Sequence, residues 1–540
     1  MAFTVATFIA FTVLVAVLSW WKTRDDDLST KEGYFLAGRG LPGIVIAGSL
    51  MMTNLSAEQL VGTNGQAFAG NMSTMAWEAT SAFALIVLAF VFLPKLLRGG
   101  IATIPEFFEM RYDTFTMRLF SLLFLIAYVV TMLPTILYSG AVALVKIFDL
   151  ESMFGISYFS AITIICIGTG IIGMCYAVFG GLKAVAYSDT INGVGLIIGG
   201  FAIPILGILA LGKLDGGGFM AGLDHLISAT PEKMNAWSAL PPEVPWPLLL
   251  TGMFVNNLFY WATNQSIIQR SLGGKNLAES QKGAIWAGFF KCLDVFVIVL
   301  PGIIAFQLLA ANGQMDTSVG MAADQAYPLL VMEVLPKPLM GFFAAVMFGA
   351  ILSSFNSVLN SASTIFTLNV WQPIWGKQAS NSKVVKVGQI FGTAVGVVSI
   401  AIAPFVMFFG TGIMNFINEC WGFFSMPLLT AVLFGLLSKK APAIAPKIVI
   451  PIHIVLYGLT KVIPFFSRFH YLYVVFALFV LECIIYAICI KVSPRQLAWE
   501  MPDAKVMDMT PWKNGKVWAI AGAAVVAIMY LIFSPLGIGA

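Results

Sequence analysis

The feature that most constrains this chain is a succession of apolar runs, each about 20 residues long, that recurs from one end of the sequence to the other. A run of this length is what an α-helix needs to cross the hydrocarbon core of a bilayer. Hydrophobic residues make up 59% of the chain and charged residues only 10%, which lies outside the range of soluble domains. The sequence therefore predicts an all-α polytopic membrane protein.

Hydropathy windows of about 19 residues locate about fourteen candidate transmembrane helices. They lie near 2–21, 43–62, 74–97, 118–145, 153–180, 184–212, 246–263, 283–308, 339–366, 387–408, 411–437, 446–463, 471–490 and 517–534. No basic segment precedes the first run, and Trp20, Trp21 and Lys22 follow it as an interfacial anchor. We therefore interpret the first run as a membrane span and not as a signal peptide.

Charge places the loops relative to the membrane. Most of the 30 Lys and Arg residues fall in loops that follow odd-numbered runs, and the positive-inside rule makes these loops cytoplasmic. Both termini are then predicted to lie outside, and the compact loops fit a bacterial inner membrane. A net charge of +4 without a basic stripe gives no indication of nucleic-acid binding.

The sequence contains none of the motifs that carry enzymatic chemistry. We find no Walker A loop, no GxSxG elbow and no HExxH pair, and the three histidines are scattered. All six cysteines lie inside apolar runs, which predicts neither disulfides nor a metal site. We expect no enzyme activity and no cofactor.

Two of the runs are interrupted by polar residues. The second, IVIAGSLMMTNLSAEQLVGTNGQ at 44–66, turns polar from Asn54 to Gln59, and the seventh carries Asn256 and Asn257. Polar groups in hydrocarbon normally face a bundle interior or an aqueous cavity. The spacing of five spans predicts a five-helix unit repeated with inverted topology, in which each unit opens on a discontinuous helix. The alternative is that these Asn side chains only pair between helices.

This pattern divides the chain into five parts. We expect a peripheral first helix with its cytoplasmic loop, a first repeat, an outer loop, a second repeat and three peripheral spans, at 1–42, 43–212, 213–245, 246–437 and 438–540.

The ninth run concentrates oxygen on one helical face. Small residues there allow close helix packing, and packing alone explains most of them. Packing does not explain the doublet Ser353 and Ser354 together with Asn356 and Asn360. Neutral oxygens of this kind, beside carbonyls freed by an unwound helix, suit a monovalent cation such as sodium.

Few ionisable or amphipathic groups lie within the runs. Lys291 and Asp294 either neutralise each other at i, i+3 or bind a ligand, whereas Glu482, alone in its run, is predicted to be structural. Tyr260 follows Asn257 and suits the apolar face of a sugar ring, although an interfacial aromatic belt is the alternative.

Six stretches, in order along the chain, resemble the solute:sodium symporter family, and in particular its sodium/sugar branch. They are YFLAGR at 34–39, NLSAEQ at 54–59, TIPEFFEMRY at 103–112, GGLKAVAYSD at 180–189, NNLFYWATNQSIIQR at 256–270 and SSFNSVLNSASTIFT at 353–367. The resemblance implies a fourteen-helix fold with a core of two inverted five-helix repeats.

The resemblance also implies roles by position. Sodium would be held by the carbonyls of Met52, Leu55 and Ala350 and by the hydroxyls of Ser353 and Ser354, and Asp189 would lie on the ion exit path. The implied sugar-binding residues are Gln59, Glu78, Ser81, Asn257, Lys291 and Asn418. The implied gates are Tyr260 with Trp261 on the inner side and Thr63, Trp77 and Met414 on the outer side.

Two kinds of departure from that branch concern the sugar. Asn418 stands where a Gln is found, and the outer lid differs at all three positions. Glu58 has no ligand role in the implied mapping, and we expect it to be a structural partner.

The function that follows is sodium-coupled symport of a monosaccharide by alternating access, with sodium as the coupling ion and the lipid bilayer as surroundings. A sodium- or proton-coupled carrier of a polyol, carboxylate or amino acid is the alternative. A channel or membrane sensor is disfavoured, because the sequence has no filter motif and no arginine-rich voltage sensor.

Overall fold

The structure is a computed structural model that describes residues 2–24, 28–237, 244–310, 313, 320–408 and 413–539. These residues form helices joined by loops, and their only β-type pairing is an isolated bridge between Leu41 and Gly274. The all-α class is confirmed.

The helices that build the bundle follow the predicted runs. In chain order they are α1 (Ala2–Thr23), α2 (Gly43–Asn54), α3 (Ala57–Ala69), α4 (Met72–Arg98), α5 (Thr114–Ile147), α6 (Tyr158–Val178), α7 (Gly180–Leu214), α8 (Gly252–Thr263), α9 (Gln265–Leu272), α10 (Leu277–Leu309), α11 (Lys337–Trp375), α12 (Asn381–Phe408), α13 (Ile413–Gly422), α14 (Ser425–Leu437), α15 (Ile444–Val462), α16 (Tyr471–Val492) and α17 (Gly515–Ile532).

Within the described ranges, eleven helices are long and apolar enough to cross a membrane singly. Two bent pairs bring the number to as many as thirteen: α2 with α3, bent by 59°, and α13 with α14, bent by 49°. The remaining predicted run, near 246–263, forms the shorter helix α8, and α9 follows it after Asn264. The count of fourteen and the inverted repeat stay predictions.

The break in the seventh run does not lie where we predicted it. α8 continues through Asn256 and Asn257 and ends at Thr263, and Asn264 separates it from α9. Asn264 caps α9, because its side-chain oxygen accepts a hydrogen bond from the Ser266 backbone N–H at 3.2 Å. The same oxygen accepts from the Tyr128 hydroxyl at 2.5 Å. Capping chemistry, and not the first polar residue, decides where the helix ends.

Wide π-type turns occur just before three prolines inside long helices. They span Leu88–Phe92 before Pro94, Ala127–Met132 before Pro134 and Phe366–Trp371 before Pro373. Proline has no N–H and its ring collides with the carbonyl four residues earlier, so a wider turn relieves the clash without ending the helix.

Two of the longer loops carry short helices. These are Phe219–Ser228 and Gly320–Val334. In the first loop Lys233 donates hydrogen bonds to the carbonyls of Phe68 at 2.8 Å and Gly70 at 2.7 Å. A cation at the C-terminal end of a helix is favourable, so Lys233 fastens this loop to the end of α3.

The junction of α6 and α7 depends on one glycine. Gly181 has φ +63° and ψ −178°, and a Cβ built there would lie 3.1 Å from the Tyr34 carbonyl oxygen. Only glycine adopts this backbone conformation without strain.

We expect Gly181→Ala to lower the free energy of unfolding by about 1–3 kcal/mol, because the strained backbone is retained and a methyl group crowds Tyr34. Gly168→Ala is the matched control, since Gly168 lies in the helical part of α6 with open space around it. The measurement is the thermal midpoint of the detergent-solubilised protein. Equal midpoints for the two variants would contradict the explanation.

Candidate functional site

The site is built around the break between α2 and α3. Leu55 (φ −77°, ψ 77°) and Ser56 (φ −107°, ψ 179°) leave the helical conformation, so the last carbonyls of α2 have no partners in a continuing helix. The Ser354 hydroxyl of α11 faces them, and its oxygen lies 3.5 Å from the Met52 carbonyl oxygen and 3.3 Å from that of Thr53. Backbone and hydroxyl oxygens therefore converge where the helix is unwound.

The other residues of the expected sodium set lie in the same region. Leu55 and Ala350 are fully buried, and Ser353 is 1% exposed. Asp189 of α7 is also fully buried, and its Oδ2 accepts a hydrogen bond from Ser49 at 2.7 Å. The Ser353 hydroxyl lies beside the same carboxylate. These oxygen atoms could hold a hard monovalent cation.

The same face of α11 contains two buried amides whose polar atoms are unpaired. Neither the oxygen nor the nitrogen of the Asn356 and Asn360 side chains has a hydrogen-bond partner. Ser357 lies 3.1 Å from the Thr53 hydroxyl and accepts a hydrogen bond from Arg270 of α9. Arg270 is fully buried, and the sequence analysis missed it although it ends one of the quoted motifs.

On the other side of the break lies a small cavity that opens at one end. Its walls combine amides, carboxyls and aromatic rings. The lining residues are Asn54, Glu58, Gln59, Trp77, Glu78, Ser81, Met132, Asn256, Asn257, Phe259, Tyr260, Trp261, Ile417, Asn418 and Trp421.

Lys291 lies behind the cavity wall and is fully buried. It forms an ion pair with Glu78, a second one at 2.8 Å with Asp294, and a hydrogen bond to the side-chain oxygen of Asn54. The expected i, i+3 neutralisation by Asp294 is present, but it is only part of the network. A single ammonium group is shared by two carboxylates, which orients Glu78 at the cavity wall.

Asn54 connects this network to the expected inner gate. Its side-chain nitrogen donates to the Tyr260 hydroxyl at 3.1 Å. The Tyr260 and Trp261 rings meet edge to face with centroids 5.4 Å apart, and the Lys291 ammonium lies 5.9 Å from the Trp261 ring. Asn54 was recognised as part of the polar break but was not assigned to the site.

The remaining expected solute residues also reach the cavity. Asn257 donates to the Thr80 hydroxyl at 2.7 Å, and Ser81 donates to the Trp77 carbonyl at 2.8 Å. Gln59 and Asn418 are lining residues.

The expected outer lid is described in part. Thr63 donates weakly to Gln59, at 3.5 Å, and Trp77 stacks on Tyr471 of α16 with centroids 6.4 Å apart. The side chain of Met414 lies outside the described residues.

A structural role was predicted for two further carboxylates, Glu482 and Glu58. Glu482 pairs with His453 at 2.6 Å and accepts from Thr430 at 2.8 Å, which agrees with the structural role predicted for it. The prediction that Glu58 is a structural partner stays a prediction. Within the described chain no cation pairs with Glu58, its Oε2 has no hydrogen-bond partner, and it lines the cavity. Its place beside Gln59, in the first turn of α3, was the feature of the sequence that indicated a position at the cavity.

The family model and the most similar relatives match this chain over most of its length. The model of the Sodium:solute symporter family matches residues 34–444. The "Uncharacterized symporter YidK" of Escherichia coli (strain K12) is 43% identical over 516 residues, which is 96% of this chain and 88% of that protein. The "Sodium/glucose cotransporter" of Vibrio parahaemolyticus is 32% identical over 452 residues, 81% of each chain.

More distant proteins share the same organisation. The "Sodium/myo-inositol cotransporter" of Homo sapiens is 32% identical over 81% of this chain and 63% of its own. The solved structure of a Na+-coupled sialic acid symporter superposes with a TM-score of 0.77 at 18% identity and covers 92% of this chain and 99% of the other, which shows a common fold. The chain is thus an integral membrane transporter, not an enzyme, and belongs to the sodium:solute symporter family.

Proposed function

We propose that this transporter couples the inward movement of sodium to the uptake of a monosaccharide by alternating access. The observation that carries the proposal is the position of the α2–α3 break, with converging oxygens at Ser354 on one side and an amide- and aromatic-lined cavity on the other. One discontinuous helix thereby touches both ligands, which is how the two binding events become linked.

The proposed sodium site uses the carbonyls of Met52, Leu55 and Ala350 and the hydroxyls of Ser353 and Ser354. Several uncharged oxygens coordinate sodium well in place of water, and the unwound backbone supplies carbonyls that a regular helix would not. Asp189 would receive the ion on its way inward, since its buried carboxylate lies next to Ser353 of the proposed site.

The proposed solute site uses hydroxyl-binding groups around the cavity, with an aromatic ring available for the apolar face of a sugar. These groups are Gln59, Glu78, Ser81, Asn257 and Asn418, and Lys291 holds Glu78 in place. Glucose and myo-inositol are what two of the relatives carry by name, and both are small, neutral and rich in hydroxyls. A hexose is our first choice and a cyclitol such as myo-inositol the second.

Alternating access requires that each ligand bind the two conformations unequally. We propose Tyr260 and Trp261 as the inner gate and Thr63, Trp77 and Met414 as the outer lid. When sodium leaves the break, the end of α2 is free to move. Asn54 lies in that turn, and its hydrogen bond passes the movement to Tyr260.

The moving parts would be the two inverted repeats at 43–212 and 246–437, with both termini outside a bacterial inner membrane. One sodium ion crossing 100 mV releases about 2.3 kcal/mol, enough for about a fiftyfold accumulation of solute.

The test is uptake of labelled glucose, galactose and myo-inositol by proteoliposomes, with and without an imposed sodium gradient. We expect saturable accumulation of at least one of them that requires sodium and rises with a negative interior potential. Uptake that does not respond to sodium, or that follows a proton gradient instead, would refute the proposal.

Ser354→Ala is expected to raise the sodium concentration for half-maximal uptake roughly tenfold, since it removes one of five oxygen ligands and about 1.4 kcal/mol corresponds to a factor of ten. Ser399→Ala is the control, because Ser399 of α12 is also a buried hydroxyl but does not line the cavity or the break. An unchanged sodium dependence in Ser354→Ala would remove this residue from the site.

Lys291→Met is expected to lower stability by about 3–5 kcal/mol and to abolish solute binding, because Glu78 and Asp294 are left as unpaired buried charges. Lys282 on the same helix pairs with Glu279 at 2.7 Å but is partly exposed, so Lys282→Met should cost about 0–1 kcal/mol. Thermal unfolding followed by tryptophan fluorescence gives the comparison. Similar losses of stability in the two variants would contradict this explanation, because they would mean that burial does not make the Lys291 ion pairs more costly to break.

A further inference from the structure

The charges at the solute cavity do not balance. Glu58 and Glu78 both line it, and Asp294 and Lys291 lie directly behind Glu78. The one ammonium group is already shared by Glu78 and Asp294. In the described part of the chain this leaves Glu58 without a counter-charge.

Glu58 is a side chain that the protein satisfies only in part, through the neighbouring Ser56 and the backbone at the start of α3. It is 6% exposed, its Oε2 has no hydrogen-bond partner, and it faces the cavity from the first turn of α3. The N-terminal end of a helix favours a negative charge, which offsets part of the cost of burying this carboxylate. A buried acceptor without a partner is costly unless a ligand supplies the donor.

The chemistry of a carboxylate decides which ligand that is. Ionised, it offers acceptor oxygens only, so it binds hydroxyl groups as donors. A second negative charge brought into the same poorly solvated space is repelled, because the interaction of like charges is weakly screened there. A polyhydroxylated neutral solute meets both conditions, whereas a sugar acid or a sugar phosphate supplies the hydroxyl donors but brings a second negative charge.

We propose that Glu58 is a specificity-determining residue that accepts hydrogen bonds from the hydroxyls of a neutral polyhydroxylated solute and excludes solutes that carry a carboxylate or phosphate. The inference rests on the proposed function and narrows it. Among the alternative solutes, simple carboxylates and sugar acids are rejected by the same site that accepts a hexose or a cyclitol.

The experiment compares a hexose with the sugar acid made by oxidising its C6, either glucose with glucuronate or galactose with galacturonate. Each competes with sodium-driven uptake of the labelled hexose in proteoliposomes. In the wild type, the uronate should inhibit about a hundredfold more weakly than the hexose, because like-charge contact is strongly unfavourable. Equal inhibition by the two compounds in the wild type would overturn the proposal.

Three variants separate the charge from the shape of the side chain. In Glu58→Gln, the preference for the hexose over the uronate should fall to about tenfold or less, and hexose affinity should drop about tenfold. Glu58→Asp keeps the charge on a shorter side chain, so it should lose hexose affinity but keep the preference. Glu109→Gln, which removes an exposed carboxylate, should change neither quantity.

An unchanged preference in Glu58→Gln, or a lost preference in Glu58→Asp with uptake retained, would overturn the inference. If Glu58→Gln does not yield folded protein, judged by size-exclusion chromatography, the Glu58→Asp result alone decides. Failure of the proposed function looks different: the wild type itself would then accumulate none of the sugars in a sodium gradient.

Discussion

The organisation of the site depends on the need to satisfy every backbone polar group inside a membrane. An unwound turn is tolerated at membrane depth only where protein groups, water or an ion pair with its free carbonyls and N–H groups. At Leu55 and Ser56 the α2–α3 helix gives up this pairing, and the hydroxyl face of α11 packs against the exposed carbonyls. The serine doublet at 353–354 and the polar break are thus two halves of one arrangement, separated by about three hundred residues.

The second constraint is the burial of charge. Lys291, Glu78 and Asp294 are each at most 1% exposed, and such groups are stable only as a connected set. Because Asn54 joins the set to Tyr260, the ion pairs stabilise not only Glu78 but also the break itself and the aromatic ring proposed as a gate. Structural charge neutralisation and positioning of the solute site are performed by the same atoms.

Most of the membrane helices and the polar break could be predicted from the sequence, because hydropathy reports directly on membrane spans and a polar residue inside an apolar run is conspicuous. What could not be predicted depends on contacts distant in sequence. The break at Asn264 is decided by a cap and by Tyr128 of α5, neither of which is visible in a local window. The position of Glu58 at the cavity is a property of the packed bundle, and Arg270 was missed because only the fold brings it to Ser357.

The Lys233 contact has a mechanical consequence. Its two hydrogen bonds end on the carbonyls of Phe68 and Gly70, at the opposite end of α3 from Glu58 and Gln59. A helix is stiff along its axis, so whatever displaces the loop around Lys233 also displaces the turn that carries the solute-facing residues. A displacement of the loop at one end of α3 is therefore passed along the helix to Glu58 and Gln59 at the cavity.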